Sequence, residues 1–117
     1  MIKCNFEIVK SPKNKYLKMN LDNYNVSGIF NSAVLDIDNK NEWLNEINQV
    51  IERKKSYGEL ETQAHSIDID YDKVMIYYDY SDSDFPELEM KTKDFRKLVE
   101  EYFLKLEEFN KHEKLLD

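Results

Sequence analysis

The chain has 117 residues, is 41% hydrophobic and 13% aromatic, and carries a formal net charge of −7. That length suits one domain, residues 1–117, around a single core, and the apolar content argues against disorder although 35% of the residues are charged. The single cysteine, Cys4, excludes an intramolecular disulfide. The first fifteen residues lack a signal peptide's apolar run of roughly 7–15 residues, and the run Val74 to Tyr78 is far short of the ~20 that a membrane helix needs, so a soluble protein of a reducing cytoplasm is expected.

At the N-terminus, Ile2, Cys4, Phe6 and Ile8 alternate with Lys3, Asn5 and Glu7, the period of a half-buried strand. Pro12 breaks it, and Leu17, Met19 and Leu21 continue a second strand that folds back as a hairpin. The stretch from Asp22 to Ser32 reads as loop, and Ala33, Leu35 and Ile37 suggest a short third strand. Asn39 and Glu42 are spaced as a capping box. Behind it Trp43, Leu44, Ile47, Val50 and Ile51 fall on one face of a helix. Arg53, Lys54 and Lys55 suit the negative end of its dipole, and Gly58 is placed for a left-handed cap.

The second half reads strand, strand, strand, helix. His65, Ile67, Ile69 and Tyr71 alternate with polar residues, as do Val74, Ile76, Tyr78 and Tyr80. With Asp72 and Lys73 as turn residues, Tyr71 pairs with Val74, Ile69 with Ile76, and Ile67 with Tyr78, so every inward residue meets another. Leu88 and Met90 form a closing strand after Pro86. Thr92 is the expected N-cap of a last helix striped by Phe95, Leu98, Val99, Tyr102, Phe103, Leu106 and Phe109. The expected fold class is α+β: an antiparallel sheet of five to six strands with two main helices on one face, in the order β-β-(β)-α-β-β-β-α.

The charge is not spread evenly. Residues 1–65 hold nine basic and nine acidic side chains, and residues 91–117 hold seven of each. The window Ser66 to Met90 holds eight acids (Asp68, Asp70, Asp72, Asp79, Asp82, Asp84, Glu87 and Glu89) and one base, Lys73, which accounts for the whole net charge. Alternation sends Asp68, Asp70, Asp79, Glu87 and Glu89 to the face opposite the apolar set, with Asp72 in a turn and Asp82 and Asp84 in a loop. Two carboxylates ~5 Å apart in water repel by about 0.8 kcal/mol before screening. A solvated sheet face tolerates that, but a general solubility bias would not confine the imbalance to one window. Tyr77 and Tyr80 add aromatic contact area of the kind enriched at interfaces.

Catalytic and metal patterns find little support. Asp68, Asp70 and Asp72 have the opening spacing of a calcium loop, but Lys73 stands where that loop needs Gly, and Asp79 where it needs Glu. Asp82, Asp84 and Glu87 offer no better set. With only two glycines, Gly28 and Gly58, there is no phosphate loop, dinucleotide fingerprint or nucleophile elbow. His65 reads as an edge-of-core residue, His112 as a helix-end residue, and Cys4 as a small hydrophobe. Neither an enzyme nor a bound cofactor or metal is expected.

An acidic face attracts basic proteins and repels nucleic acid. The outward acids of HSIDIDYDKVMIYYDYSDSDFPELEM, with the flanking helices NEWLNEINQVIERKK and TKDFRKLVEEYFLKLEEF, resemble the small immunity proteins of bacterial polymorphic toxin systems. The resemblance implies stoichiometric inhibition of a cognate toxin domain, with a basic nuclease as the expected partner. The residues expected to bind it are Asp68, Asp70, Asp72, Tyr77, Asp79, Tyr80, Asp82, Asp84, Glu87 and Glu89. An acidic nucleic-acid mimic and a non-inhibitory interaction module are the alternative readings.

Overall fold

The computed structural model describes residues 4–21, 28–79 and 87–112. The first hairpin forms as its alternation predicts: β1 (Cys4–Lys10) pairs antiparallel with β2 (Lys15–Leu21), placing Phe6 opposite Met19 and Ile8 opposite Leu17. Leu17 and Met19 are buried, whereas Ile8 remains 39% exposed.

The expected strand through Ala33, Leu35 and Ile37 is absent. Asn31 makes a single bridge to Lys18, and the N–H groups of Met19 and Ser32 donate to the carbonyls of Phe30 and Leu17, each at 2.8 Å. The chain then turns into a short 3-10 segment, Ile37–Asn39. The cause lies in two side chains. The Asp38 N–H donates to the Asp36 carboxylate at 2.9 Å, and the Asp36 N–H donates to the Asn39 side-chain oxygen at 3.0 Å. This reciprocal box starts the helical turn at Asp36, and Asn39, itself helical, makes no capping bond to a following residue.

Helix α1 (Lys40–Ile51) buries Trp43, Ile47 and Val50. Its left-handed cap is Arg53, at φ 60, and not Gly58. The Arg53 N–H donates to the Val50 carbonyl at 3.1 Å and the Lys54 N–H to the Gln49 carbonyl at 2.8 Å, the paired bonds of a Schellman ending. Gly58 instead opens β3 (Gly58–Glu61), with no positive φ. A Cβ there would lie 3.0 Å from Val50 Cγ2 and 3.2 Å from Glu46 Cγ, so the missing side chain is what lets the strand approach the helix.

Strands β3, β4 (His65–Ile69), β5 (Lys73–Tyr78) and β6 (Leu88–Lys91) form an antiparallel sheet in chain order, separate from the β1–β2 pair. The single sheet expected from the sequence is therefore two sheets of two and four strands, in the order β-β-α-β-β-β-β-α. The β4–β5 register also differs from expectation, with Ile69 opposite Val74, Ile67 opposite Ile76 and His65 opposite Tyr78. The ladder instead continues to Asp70 and Lys73, where the Asp70 N–H donates to the Lys73 carbonyl at 2.8 Å, so the chain turns at Tyr71 and Asp72 and Tyr71 lies exposed there. The shift is by two residues, an even number, so every strand side chain keeps its face.

Helix α2 (Thr92–His112) buries the whole predicted stripe from Phe95 to Phe109. Thr92 does not act as a cap outside the helix. It is buried at the first helical position, and its hydroxyl donates to the Asp70 carbonyl at 2.7 Å, tying the helix to the β4–β5 loop. One core joins both sheets and both helices, with Phe30, Trp43, Phe95, Tyr102 and Phe103 among its largest buried side chains. Ring centroids 5.5 Å apart for Phe30–Tyr102 and 6.3 Å for Trp43–Phe95 lie in the range of favourable tilted pairs. The apolar sides of β3 to β6 all face this core, and among the described residues no helix or strand covers their other side.

Candidate functional site

The uncovered side of the four-stranded sheet is built by alternation. Gly58, Leu60, Ile67, Ile69, Val74, Ile76 and Met90 are buried inward. Their neighbours Glu59, Glu61, Ser66, Asp68, Lys73, Met75, Tyr77, Glu89 and Lys91 must point outward. The register arranges them in rows: Glu59, Asp68, Met75 and Glu89 lie side by side across the four strands. In the next row Glu61, Ser66 and Tyr77 are neighbours. At the opposite corner Lys73 lies beside Lys91, and Lys73 Nζ approaches Glu89 Oε1 at 3.5 Å.

Tyr57 stands just before β3, and its hydroxyl lies 2.8 Å from both Glu59 Oε1 and Asp68 Oδ1. A phenol has one proton, so it donates to one carboxylate at a time and both anions compete for it. These hydrogen bonds, to Glu59 first and then Asp68, push the Tyr57 phenol well above its ordinary range. Tyr77 is also pushed up, first by desolvation and then by the negative charges of Asp68 and Glu87, with Lys73 opposing them. Tyr77 therefore sits between an acid of β4 and one leading into β6.

Asp79 follows β5 and accepts from the Ser66 hydroxyl at 2.8 Å, which holds its carboxylate on the outer side. Behind the β3 edge, Glu46 of α1 takes two donors, the Lys55 ammonium at 2.7 Å and the Glu59 N–H at 2.9 Å. The Lys55 hydrogen bond, helped by the Glu59 N–H, holds the Glu46 carboxyl below its usual range against the opposing effect of burial. Between α1 and the outer face runs a shallow cleft of about 440 Å³ lined by the carboxylates of Glu42, Glu59, Glu61 and Asp68.

Of the residues expected to bind a partner, Asp68, Tyr77 and Glu89 lie on this face, Asp79 reaches it through Ser66, and Glu87 precedes β6 beside it. Asp70 and Asp72 lie at its turn end. Asp70 is exposed opposite Lys73, in the row that Lys73 forms with Lys91, and Asp72 is exposed in the turn where the sequence places it. Tyr80, Asp82 and Asp84 lie outside the described residues. Three contributors were missed from sequence: Tyr57, Glu59 and Glu61. The signal was the alternation of Gly58 and Leu60 with Glu59 and Glu61, too short to stand out beside a glycine read as a helix stop.

The remaining reactive groups are held in structural settings. His65 is buried, with its ring 5.3 Å from that of Tyr78 and its Nδ1 3.3 Å from the Thr62 hydroxyl. Cys4 is half-buried, its Sγ 3.6 Å from Glu101 Oε2, and burial together with that carboxylate raises its thiol pKa, away from the nucleophilic thiolate. Among the described residues no group of three or more His, Cys, Asp or Glu side chains is placed to hold a metal ion, and no helix is long and apolar enough to cross a membrane. Compared with protein-family models, curated proteins and solved structures, the chain shows no match in any of the three.

Proposed function

We propose that this protein is a stoichiometric inhibitor of the immunity type, which neutralises a basic toxin domain by covering it with the outer face of the four-stranded sheet. One observation carries the reading. The face has no helix over it and gathers Glu59, Glu61, Asp68, Asp79, Glu87 and Glu89 against only Lys73 and Lys91 among the described residues, with Tyr57, Met75 and Tyr77 between them. Tyrosine and methionine side chains interleaved with acids suit a protein interface, and a field of this sign selects a basic partner and speeds encounter with it. A nuclease domain, which must hold phosphates, presents such a surface. The reading calls for binding without chemistry.

The test is co-expression with a toxin domain encoded beside this gene. Restored growth, together with a one-to-one complex whose affinity falls with salt, supports the reading. Glu61→Lys with Glu87→Lys changes two exposed side chains and should abolish protection while the variant still melts cooperatively. Full protection by that variant removes the acidic face from the mechanism. Equal binding to several unrelated basic proteins assigns the chain to the nucleic-acid mimics instead.

A further inference from the structure

We propose that β1 is the seam of a two-fold dimer, in which its open edge pairs antiparallel with the same edge of a second copy, centred on Glu7. The parity of the hairpin identifies the edge. The Ser11 N–H bonds the Asn14 carbonyl at 2.8 Å, so in the continuing ladder Val9, Glu7 and Asn5 exchange their backbone bonds with β2. Cys4, Phe6, Ile8 and Lys10 therefore direct their N–H and C=O groups away from β2. The same parity holds on the far side of β2, where Met19 and Leu17, opposite Phe6 and Ile8, bond the Phe30 and Ser32 backbones. Among the described residues no strand lies against the β1 edge.

The edges of the four-stranded sheet are short and this one is long. β3 has four residues, two of them glutamates, and Glu46 caps its outward Glu59 N–H. β6 has four residues, including Glu89 and Lys91. β1 has seven, carries Ile8 at 39% exposure, and flanks a groove of about 370 Å³ in which Phe6, Ile8, Leu17 and Phe109 lie beside Glu7, Lys105, Glu108 and His112. A long open strand with an exposed apolar face is an association site unless it is covered.

The occupant that fits is a second copy, because the strand is complementary to itself. Centred on Glu7, all seven residues overlap, Phe6 meets Ile8 of the second copy, and Cys4 meets its Lys10. Cys4 already lies against Glu101, so the incoming Lys10 arrives at that carboxylate, twice by symmetry. On the opposite side Glu7 lies beside Lys18, so the two facing glutamates are flanked by two lysines and the row is neutral. An isologous contact of this kind closes on itself and does not propagate into a fibre. The seam belongs to the two-stranded sheet and leaves the acidic face free.

The test is sedimentation equilibrium of the full chain, with residue-level hydrogen exchange at low and high protein concentration. A monomer–dimer equilibrium is expected, and in the dimer the amides of Phe6 and Ile8 slow with concentration while that of Glu7, already bonded, does not. Lys10→Glu should weaken the dimer by about tenfold or more, and adding Glu101→Lys should restore it. A chain that stays monomeric to millimolar concentration overturns the proposal. So does a dimer that leaves those amides fast, or one indifferent to Lys10→Glu.

Discussion

The hydroxyl of Tyr102 donates to the backbone carbonyl of Leu35 at 2.5 Å, joining the middle of the long helix to the loop that precedes the first one. Both residues are buried, so neither group has water to turn to. Tyr102→Phe keeps the ring against Phe30 but strands the carbonyl, and should cost about 1–3 kcal/mol in urea denaturation. Burial, reinforced by the charge of Asp36, also raises the Tyr102 phenol above its ordinary value of 10.0. Its contribution is complete below that value and is lost as pH rises above it, where the unfolded chain ionises first. The wild type should lose stability above about pH 10 more steeply than Tyr102→Phe, as thermal melts across that range will show.

Arg53 and Gly58 exchange the roles that their residue types suggest. Arg53 takes the left-handed conformation, with its guanidinium 3.8 Å from the centroid of Tyr71. Arg53→Gly relieves backbone strain but loses that stacking, so stability should change by no more than about 1 kcal/mol. Gly58→Ala puts a methyl group 3.0 Å from Val50 Cγ2 at the helix–strand junction and should cost about 1–3 kcal/mol. Denaturant midpoints of the two variants will separate these effects. A large loss in Arg53→Gly with a neutral Gly58→Ala would reverse the assignment.

Glu46 predicts an acid limb. Its folded pKa lies below the ordinary value of 4.5 because the carboxylate holds Lys55 and the Glu59 N–H. The stability it contributes is therefore present above pH 4.5 and is lost as pH falls through the folded value. Glu46→Gln should be less stable at neutral pH and flatter across the acid range. Equal acid slopes in the two proteins would show that this carboxylate does not set the limb.

Thr92 binds the helix start to the loop carrying Asp70, Tyr71 and Asp72. Thr92→Val keeps the shape and removes the donor, leaving the Asp70 carbonyl without the hydroxyl it accepts from at 2.7 Å. A loss of about 1–2 kcal/mol is expected. Hydrogen exchange should show the Asp70 to Lys73 backbone opening before the rest of the sheet, since the Thr92 hydroxyl no longer ties that loop to the helix and the Thr92 N–H on Asp72, at 3.2 Å, is left to hold it.

Periodicity and turn chemistry made much of this protein legible in its sequence. The stripe from Phe95 to Phe109 could only be one face of a helix, and the alternation of Ile67, Ile69, Val74 and Ile76 fixed which side chains are wet. For that reason alternation alone puts Asp68, Tyr77 and Glu89 on the outer face, where the structure has them, although the observed hairpin register differs by two residues from the expected one. The tertiary structure alone decided three further matters. Whether Gly58 ends a helix or opens a strand depends on the distance to Val50 and Glu46, which no local pattern encodes. Where the β4–β5 hairpin turns depends on pairing across the sheet and on the Thr92 hydroxyl, which holds the Asp70 carbonyl from twenty-two residues away. That the first hairpin forms its own sheet, with β1 left open, depends on residues 30–32 taking the far side of β2. Local chemistry writes the pattern of each element. Long-range packing chooses which edges meet, because those contacts are made by residues far apart in the chain.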